Sequence, residues 1–195
     1  MIEDDPTHPA SELIAGKYRV ERVIGVGGMG TLVAAHHDGL NTKVAIKLLL
    51  PEMLRHPEIV ARFMREAQAA IRIKSEHIAR VLDVGTKSDG APYIVMEYLE
   101  GTDLAGWLKD RGALDPGQAV EFVLQACVAL AEAHGLGIVH RDLKPANLFC
   151  VRRPDGKLSI KVLDFGIAKV GGGGDDMSAT RTATVMGSPL YMSPE

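Results

Sequence analysis

His140-Arg-Asp-Leu-Lys-Pro-Ala-Asn147, followed by Asp164-Phe-Gly166, is the stretch that decides the fold of this 195-residue chain. Each of its polar residues, taken singly, is an ordinary surface group. The order of the eight, with Asp-Phe-Gly at that distance, is not the product of chance. Between the two motifs, Leu148–Val151 and Ser159–Val162 flank Arg153-Pro-Asp-Gly156, which reads as a β-hairpin. Before them, Asp115-Pro116 opens a long helix as N-cap and first residue. Val120, Val123, Leu124, Cys127, Leu130 and Ala131 form its expected apolar stripe, and Gly135 its expected end.

Further out, the pattern changes from helical to alternating. Tyr18 and Val20 alternate with Arg19 and Glu21, and Thr31–His37 and Lys43–Leu49 read as two further strands. Pro57 starts a helix on which Ile59, Phe63, Ala70 and Ile71 share one face with Glu66. A carboxylate on a core-facing stripe is costly unless paired, so this helix asks for a cationic partner. Ile78–Val84 and Tyr93–Tyr98 are two more strands, joined through the turn at Lys87-Ser-Asp-Gly90. Glu100-Gly-Thr-Asp103 reads as a linker, and residues 1–14 as a disordered end.

Gly25-Val26-Gly27-Gly28-Met29-Gly30 is weak by itself, since a simple tight turn or a dinucleotide fold would also explain it. Strand-like Thr31-Leu-Val-Ala-Ala follows, which favours a hairpin whose backbone N–H groups approach anionic oxygens. In Val44-Ala-Ile-Lys47 the lysine sits in an apolar strand. Lys47 and Glu66 are therefore the expected buried ion pair, which keeps the lysine charge from being unpaired. Asn147 and Asp164 offer the amide and carboxylate oxygens that suit Mg²⁺, a hard cation.

With these motifs in place, the chain resembles the bacterial serine/threonine protein kinases of the eukaryotic-like type, from about Tyr18 to Glu195. Lys144 in Asp-Leu-Lys-Pro is similar to the serine/threonine rather than the tyrosine class. The resemblance implies an α+β, protein kinase-like two-lobe fold. A β-rich small lobe at 15–99 would be complete, and a helical large lobe from 100 to 195 incomplete. The family's large lobe continues past its Ala-Pro-Glu motif, here Ser193-Pro194-Glu195. The helix at 116–134 is thus expected to show an uncovered apolar face.

The implied activity is ATP-dependent phosphorylation of protein serine or threonine hydroxyls, with Mg²⁺ or alternatively Mn²⁺. A nucleotide-binding or regulatory fragment without phosphotransfer is the other reading. Asp142 would be the base or orienting acceptor, Lys144 would neutralise the moving phosphoryl group, and Lys47 would hold the phosphates. The family further implies that Leu32 and Ala45 cover one face of adenine and Phe149 the other. Met96 would be the gatekeeper, backbone groups of Glu97 and Leu99 would bond the base, and Asp103 would reach the ribose. Apolar spacing alone would equally make Leu32, Ala45 and Phe149 ordinary core.

The segment from Asp164 to Glu195 carries Ser178, Thr180, Thr182 and Thr184. Thr180-Arg-Thr182 is similar to the autophosphorylated pair of related bacterial kinases, with Arg141 as acceptor of the phosphate and self-association as the implied encounter. Leu32 stands where valine is usual in the family, and Ser188 where threonine is usual; neither removes a reactive group.

Composition is that of a globular protein, 46% hydrophobic and 24% charged, with a net charge of -3. That charge supplies no basic field for nucleic acid or anionic lipid. Cys127 and Cys150 both lie among apolar residues and read as reduced, buried thiols of a cytoplasmic protein. No apolar run in the chain is long enough to span a bilayer.

Overall fold

Alternation builds the first half of the molecule. In the computed structural model, which describes residues 13–28, 30–165 and 189–191, Tyr18 and Val20 are buried and Arg19 and Glu21 exposed. They belong to β2 (Tyr18–Gly27), which pairs with β1 (Leu13–Ile14) and β3 (Gly30–His37). Leu13 and Ile14 are thus part of the sheet and not of a disordered end. With β4 (Thr42–Leu49), β5 (Val81–Thr86) and β6 (Pro92–Glu97) they form one antiparallel sheet, in the order β1-β2-β3-β4-β6-β5.

β6 is buried on both faces, which is why it reads as a continuous apolar run. Tyr93 and Val95 pack with Val33, Val44 and Ile46 on one side. Ile94 and Met96 pack on the other against Phe63 and Ala67 of α1 (Pro57–Ala70). Burial of Phe63 alone contributes about 2 to 3 kcal/mol. Ile71 falls outside this face: it caps the helix and is 44% exposed.

The expected linker is a strand. β7 (Gly101–Asp103) pairs with β8 (Leu148–Arg152), and β8 with β9 (Leu158–Val162), giving a second, three-stranded sheet. Gly101 has φ +153, and a Cβ there would strike the Cys150 carbonyl, so only glycine lets β7 lie this close to β8. Asp103 then caps α2 (Leu104–Arg111), accepting from Gly106 N–H at 3.0 Å.

Ile78, expected within a strand of the first sheet, instead bridges Val162 of β9 in parallel. Val162 N–H donates to His77 O at 2.8 Å, and Ala79 N–H to Val162 O at 3.1 Å. These bonds staple the segment before β5 to the second sheet.

α3 (Pro116–Gly135) starts as expected, with Asp115 accepting from Gln118 N–H at 3.1 Å. Most of the expected apolar stripe is the uncovered face that the sequence predicts, and Leu130 of it packs in the core. Phe122, Ala126, Ala129 and Ala133 are buried, while Val120, Val123, Leu124 and Val128 are 58–60% exposed. Cys127 is exposed, contrary to expectation, and Cys150 is buried. Gln118, Glu121, Gln125 and Glu132 form a polar stripe, but Gln125 Oε1 accepts from Ile160 N–H at 2.7 Å and Glu132 Oε1 from Lys74 N–H at 2.6 Å, so polarity does not mark the outward side. The alanine face wins because small side chains let α3 approach Ile78, Val162 and Phe165 closely.

Candidate active site

The loop between α3 and β8 is held by its histidine. His140 is 3% exposed and its ring meets Phe165 edge-on, centroids 4.9 Å apart. Nε2 lies 2.8 Å from Leu163 O, which can only accept, so Nε2 carries the proton. Nδ1 then accepts from Asp142 N–H at 3.3 Å. One neutral imidazole thus fastens the backbone of Asp142 to the residue before Asp164. Leu163 N–H donates in turn to Asn147 O at 2.9 Å. Sequence reasoning quoted His140 but gave it no role. Its fixed place two residues before Asp142 was the available signal.

Burial pushes the His140 imidazole below its ordinary 6.5, and the Leu163 carbonyl only partly opposes this. A base held below its unfolded value resists protonation in the folded state. The stability it allows is complete above 6.5 and declines as pH falls from there toward the depressed folded value. Urea melts of the wild-type chain at pH 7.5 and pH 5.5 should show a loss that His140→Phe reduces. Equal losses in the two chains would remove His140 as the cause.

Backbone conformation adds to the picture. Arg141 has φ +64 and Asp164 φ +51, both in the left-handed region at non-glycine residues. Each costs on the order of 1 kcal/mol or more. Such strain persists where surrounding bonds impose it, and here the His140–Leu163 bond lies between the two.

The side chains converge. Lys144 Nζ is 3.0 Å from Asp142 Oδ2. Asn147 Nδ2 donates to Asp142 O at 2.7 Å and approaches Asp142 Oδ2 at 3.3 Å. With its NH₂ so engaged, Asn147 keeps its Oδ1 out of any hydrogen bond among the described residues. From the first sheet, Lys47 Nζ reaches Asp164 Oδ1 at 2.7 Å. The structure brings Lys47 to Asp164, and Asp142, Lys144 and Asn147 to one another.

The expected Lys47–Glu66 pair is not closed. The lysine takes Asp164 instead, and Glu66 Oε2 is buried without a hydrogen-bond partner among the described residues. Burial pushes the Glu66 carboxyl up, while Arg62, Arg141, Lys47 and Arg65, in that order, pull it back. Two carboxylates compete for one ammonium, and the directly hydrogen-bonded one wins.

The glycine loop divides by role. A Cβ on Gly30 would strike Leu48 O, so this glycine serves the β3–β4 contact. At Gly25 and Gly27 the nearest atom to an added Cβ is 3.8 Å away, and at Gly28 there is nothing within 4 Å. Packing does not require glycine at these three positions. They leave a bare backbone with room for an anion, which fits a phosphate cradle.

Nearby, Leu32 faces Lys47 and Ala45 faces Met96 across the strands, and Phe149 lies on β8. Glu97 N–H is taken by Arg80 O at 3.0 Å. No backbone bond among the described residues uses Leu99. Asp103, expected at a ribose, spends one oxygen on its helix cap. For a metal, Asn147 and Asp164 fit as hard oxygen donors. So small a donor set suits Mg²⁺ that shares its shell with phosphates. Met29, Gly166, Ser178, Thr180, Thr182, Thr184 and Ser188 lie outside the described residues.

Comparison with known proteins agrees with this geometry. The protein kinase domain matches residues 18–195. The chain belongs to the protein kinase family. Serine/threonine-protein kinase pkn3 of Myxococcus xanthus is 45% identical over 196 aligned residues, covering 100% of this chain and 36% of that protein. PknB of Mycobacterium leprae is 39% identical, covering 93% of this chain and 29% of its own length. The crystal structure of the Mycobacterium tuberculosis PknI kinase domain superposes with a TM-score of 0.71 at 34% identity. That match covers 83% of this chain and 62% of that domain. The resemblance to bacterial serine/threonine kinases and the α+β kinase fold are thereby borne out. The chain spans about a third of the length of these curated relatives. No helix among the described residues is long and apolar enough to cross a membrane.

Proposed function

We propose that this chain carries the transfer centre of a kinase that moves the γ-phosphoryl group of ATP to protein serine or threonine hydroxyls. The observation that carries the reading is the joined pair of clusters. Lys47 meets Asp164 at 2.7 Å from one sheet, and Asp142, Lys144 and Asn147 interlock beneath. The glycine loop and Lys47 bind the phosphates. Leu32, Ala45 and Phe149 enclose the base, and Glu97 and Leu99 offer it backbone groups. Met96, packed against Phe63 of α1, limits the depth of the pocket. Asp103 keeps one carboxylate oxygen for the ribose.

Asp142 accepts the hydrogen bond of the substrate hydroxyl and takes its proton. The hydroxyl oxygen bonds to the γ-phosphorus as the bond from phosphorus to the ADP oxygen breaks. Lys144 lies beside Asp142, where it neutralises charge on the moving group. Mg²⁺, or Mn²⁺ in its place, would neutralise phosphate charge when bound to Asn147 and Asp164.

Autophosphorylation at Thr180 or Thr182, through encounter of two copies, and a cytoplasmic location belong to the same reading. The test is phosphate incorporation from Mg-ATP into the chain and into an added protein substrate, with the modified residues read by mass spectrometry. Transfer to serine or threonine supports the proposal. ATP binding without transfer favours the regulatory fragment, and absence of both overturns the reading.

A further inference from the structure

A row of the second sheet continues past the residues proposed to meet adenosine. Asp103 of β7 is paired with Phe149 of β8, and Phe149 with Lys161 of β9. Directly opposed residues on antiparallel strands project to the same face. Lys161 therefore emerges beside the ring proposed as the adenine floor. Its Nζ donates to Glu97 Oε1 at 2.7 Å and to Ile78 O at 3.3 Å.

Glu97 is held from a second direction. Its Oε1 accepts from Arg80 N–H at 2.8 Å, and its own N–H donates to Arg80 O at 3.0 Å. The Lys161 and Glu97 side chains are only 16% and 21% exposed. An ion pair this withdrawn keeps its geometry where a solvated one would not. It runs from the strand that leads into Asp164 up to the residue that closes β6.

We infer that Lys161 is a positioning residue for the base: through Glu97 it sets the spacing between the backbone at 97–99 and Phe149. It touches no substrate. This inference rests on the ATP reading above. If that reading holds, the pair matters to adenine and not to the phosphates, which Lys47 and the glycine loop hold independently.

The two ligands to compare are Mg-ATP and magnesium tripolyphosphate, each measured by calorimetry on the full chain. Lys161→Met and Glu97→Gln should each weaken ATP by about tenfold, the scale of one charge-assisted hydrogen bond. Affinity for tripolyphosphate should not change. Lys161→Arg, which keeps a donor and the charge, should restore ATP binding. The double variant Glu97→Gln/Lys161→Met leaves neither charge unpaired. It should regain the melting temperature but not the ATP affinity.

Three results would overturn the inference. ATP affinity could stay unchanged in a variant that melts like wild type. ATP and tripolyphosphate could weaken together. The double variant could recover affinity along with stability, which is the signature of a plain structural staple. A wild-type chain that binds no ATP overturns the function reading first, and this inference with it.

Discussion

Asp142→Asn should cut phosphoryl transfer by about a hundredfold to ten-thousandfold, the range that general base catalysis supplies. ATP affinity should be nearly unchanged. The substitution keeps shape and one carbonyl oxygen. It removes the charge that Lys144 Nζ meets at 3.0 Å and the basicity that receives a hydroxyl proton. The backbone should stay where it is, because His140 and Asn147 hold residue 142 through its N–H and carbonyl, and the longer 3.3 Å contact of Asn147 Nδ2 to Asp142 Oδ2 can be kept by the amide oxygen. A loss of transfer in this variant is thus a loss of chemistry. Single-turnover rates with radiolabelled ATP, beside calorimetric ATP affinity, check both halves. Wild-type transfer by Asp142→Asn would remove Asp142 from the proton-accepting role. An equal fall in ATP affinity would make its effect one of binding.

How much of this was legible in the sequence depends on whether a feature is local. β2 and β3 were, because alternation is a property of neighbours along the chain. The loop at 140–147 was, because Asp142, Lys144 and Asn147 interact within a few residues of one another. β7 was missed: three residues carry no period, and their partner β8 lies beyond both α2 and α3 in the chain. The buried side of α3 was missed for a different reason. Gln125 and Glu132 of its polar stripe bond inward, and only the partner surface of Ile78, Val162 and Phe165 decides between faces. The partner of Lys47 was misread because Glu66 and Asp164 satisfy the same charge rule. Distance alone separates them, and distance is a tertiary quantity. Lys161 gave no signal at all as a lysine near the end of a strand. Its meaning comes from Glu97, which the fold brings to it.

Glu66→Gln should move stability and activity in opposite directions. In this structure Glu66 is a charge set in a half-buried place, its Oε2 without a hydrogen-bond partner among the described residues, and Lys47 is engaged with Asp164. Burial costs this carboxylate more than the nearby Arg62, Arg141, Lys47 and Arg65 return, and a neutral amide of the same shape is cheaper to bury, so the melting temperature should hold or rise. Transfer should nevertheless fall by about tenfold to a hundredfold. If Asp164 held a metal and Lys47 the phosphates, as proposed, Glu66 would be the carboxylate left to hold the lysine. One charge-assisted hydrogen bond is worth that much. The pH dependence gives an independent check. A carboxyl whose folded pKa is raised contributes stability at low pH and loses it as pH rises through the folded value. Any stability advantage of Glu66→Gln should therefore be largest near neutral pH and shrink on acidification. Thermal melts from pH 5 to pH 8, beside transfer rates at pH 7.5, decide the matter. Loss of both stability and transfer would mean that Glu66 is already paired in the resting chain. Unchanged transfer would mean that Lys47 needs no second carboxylate.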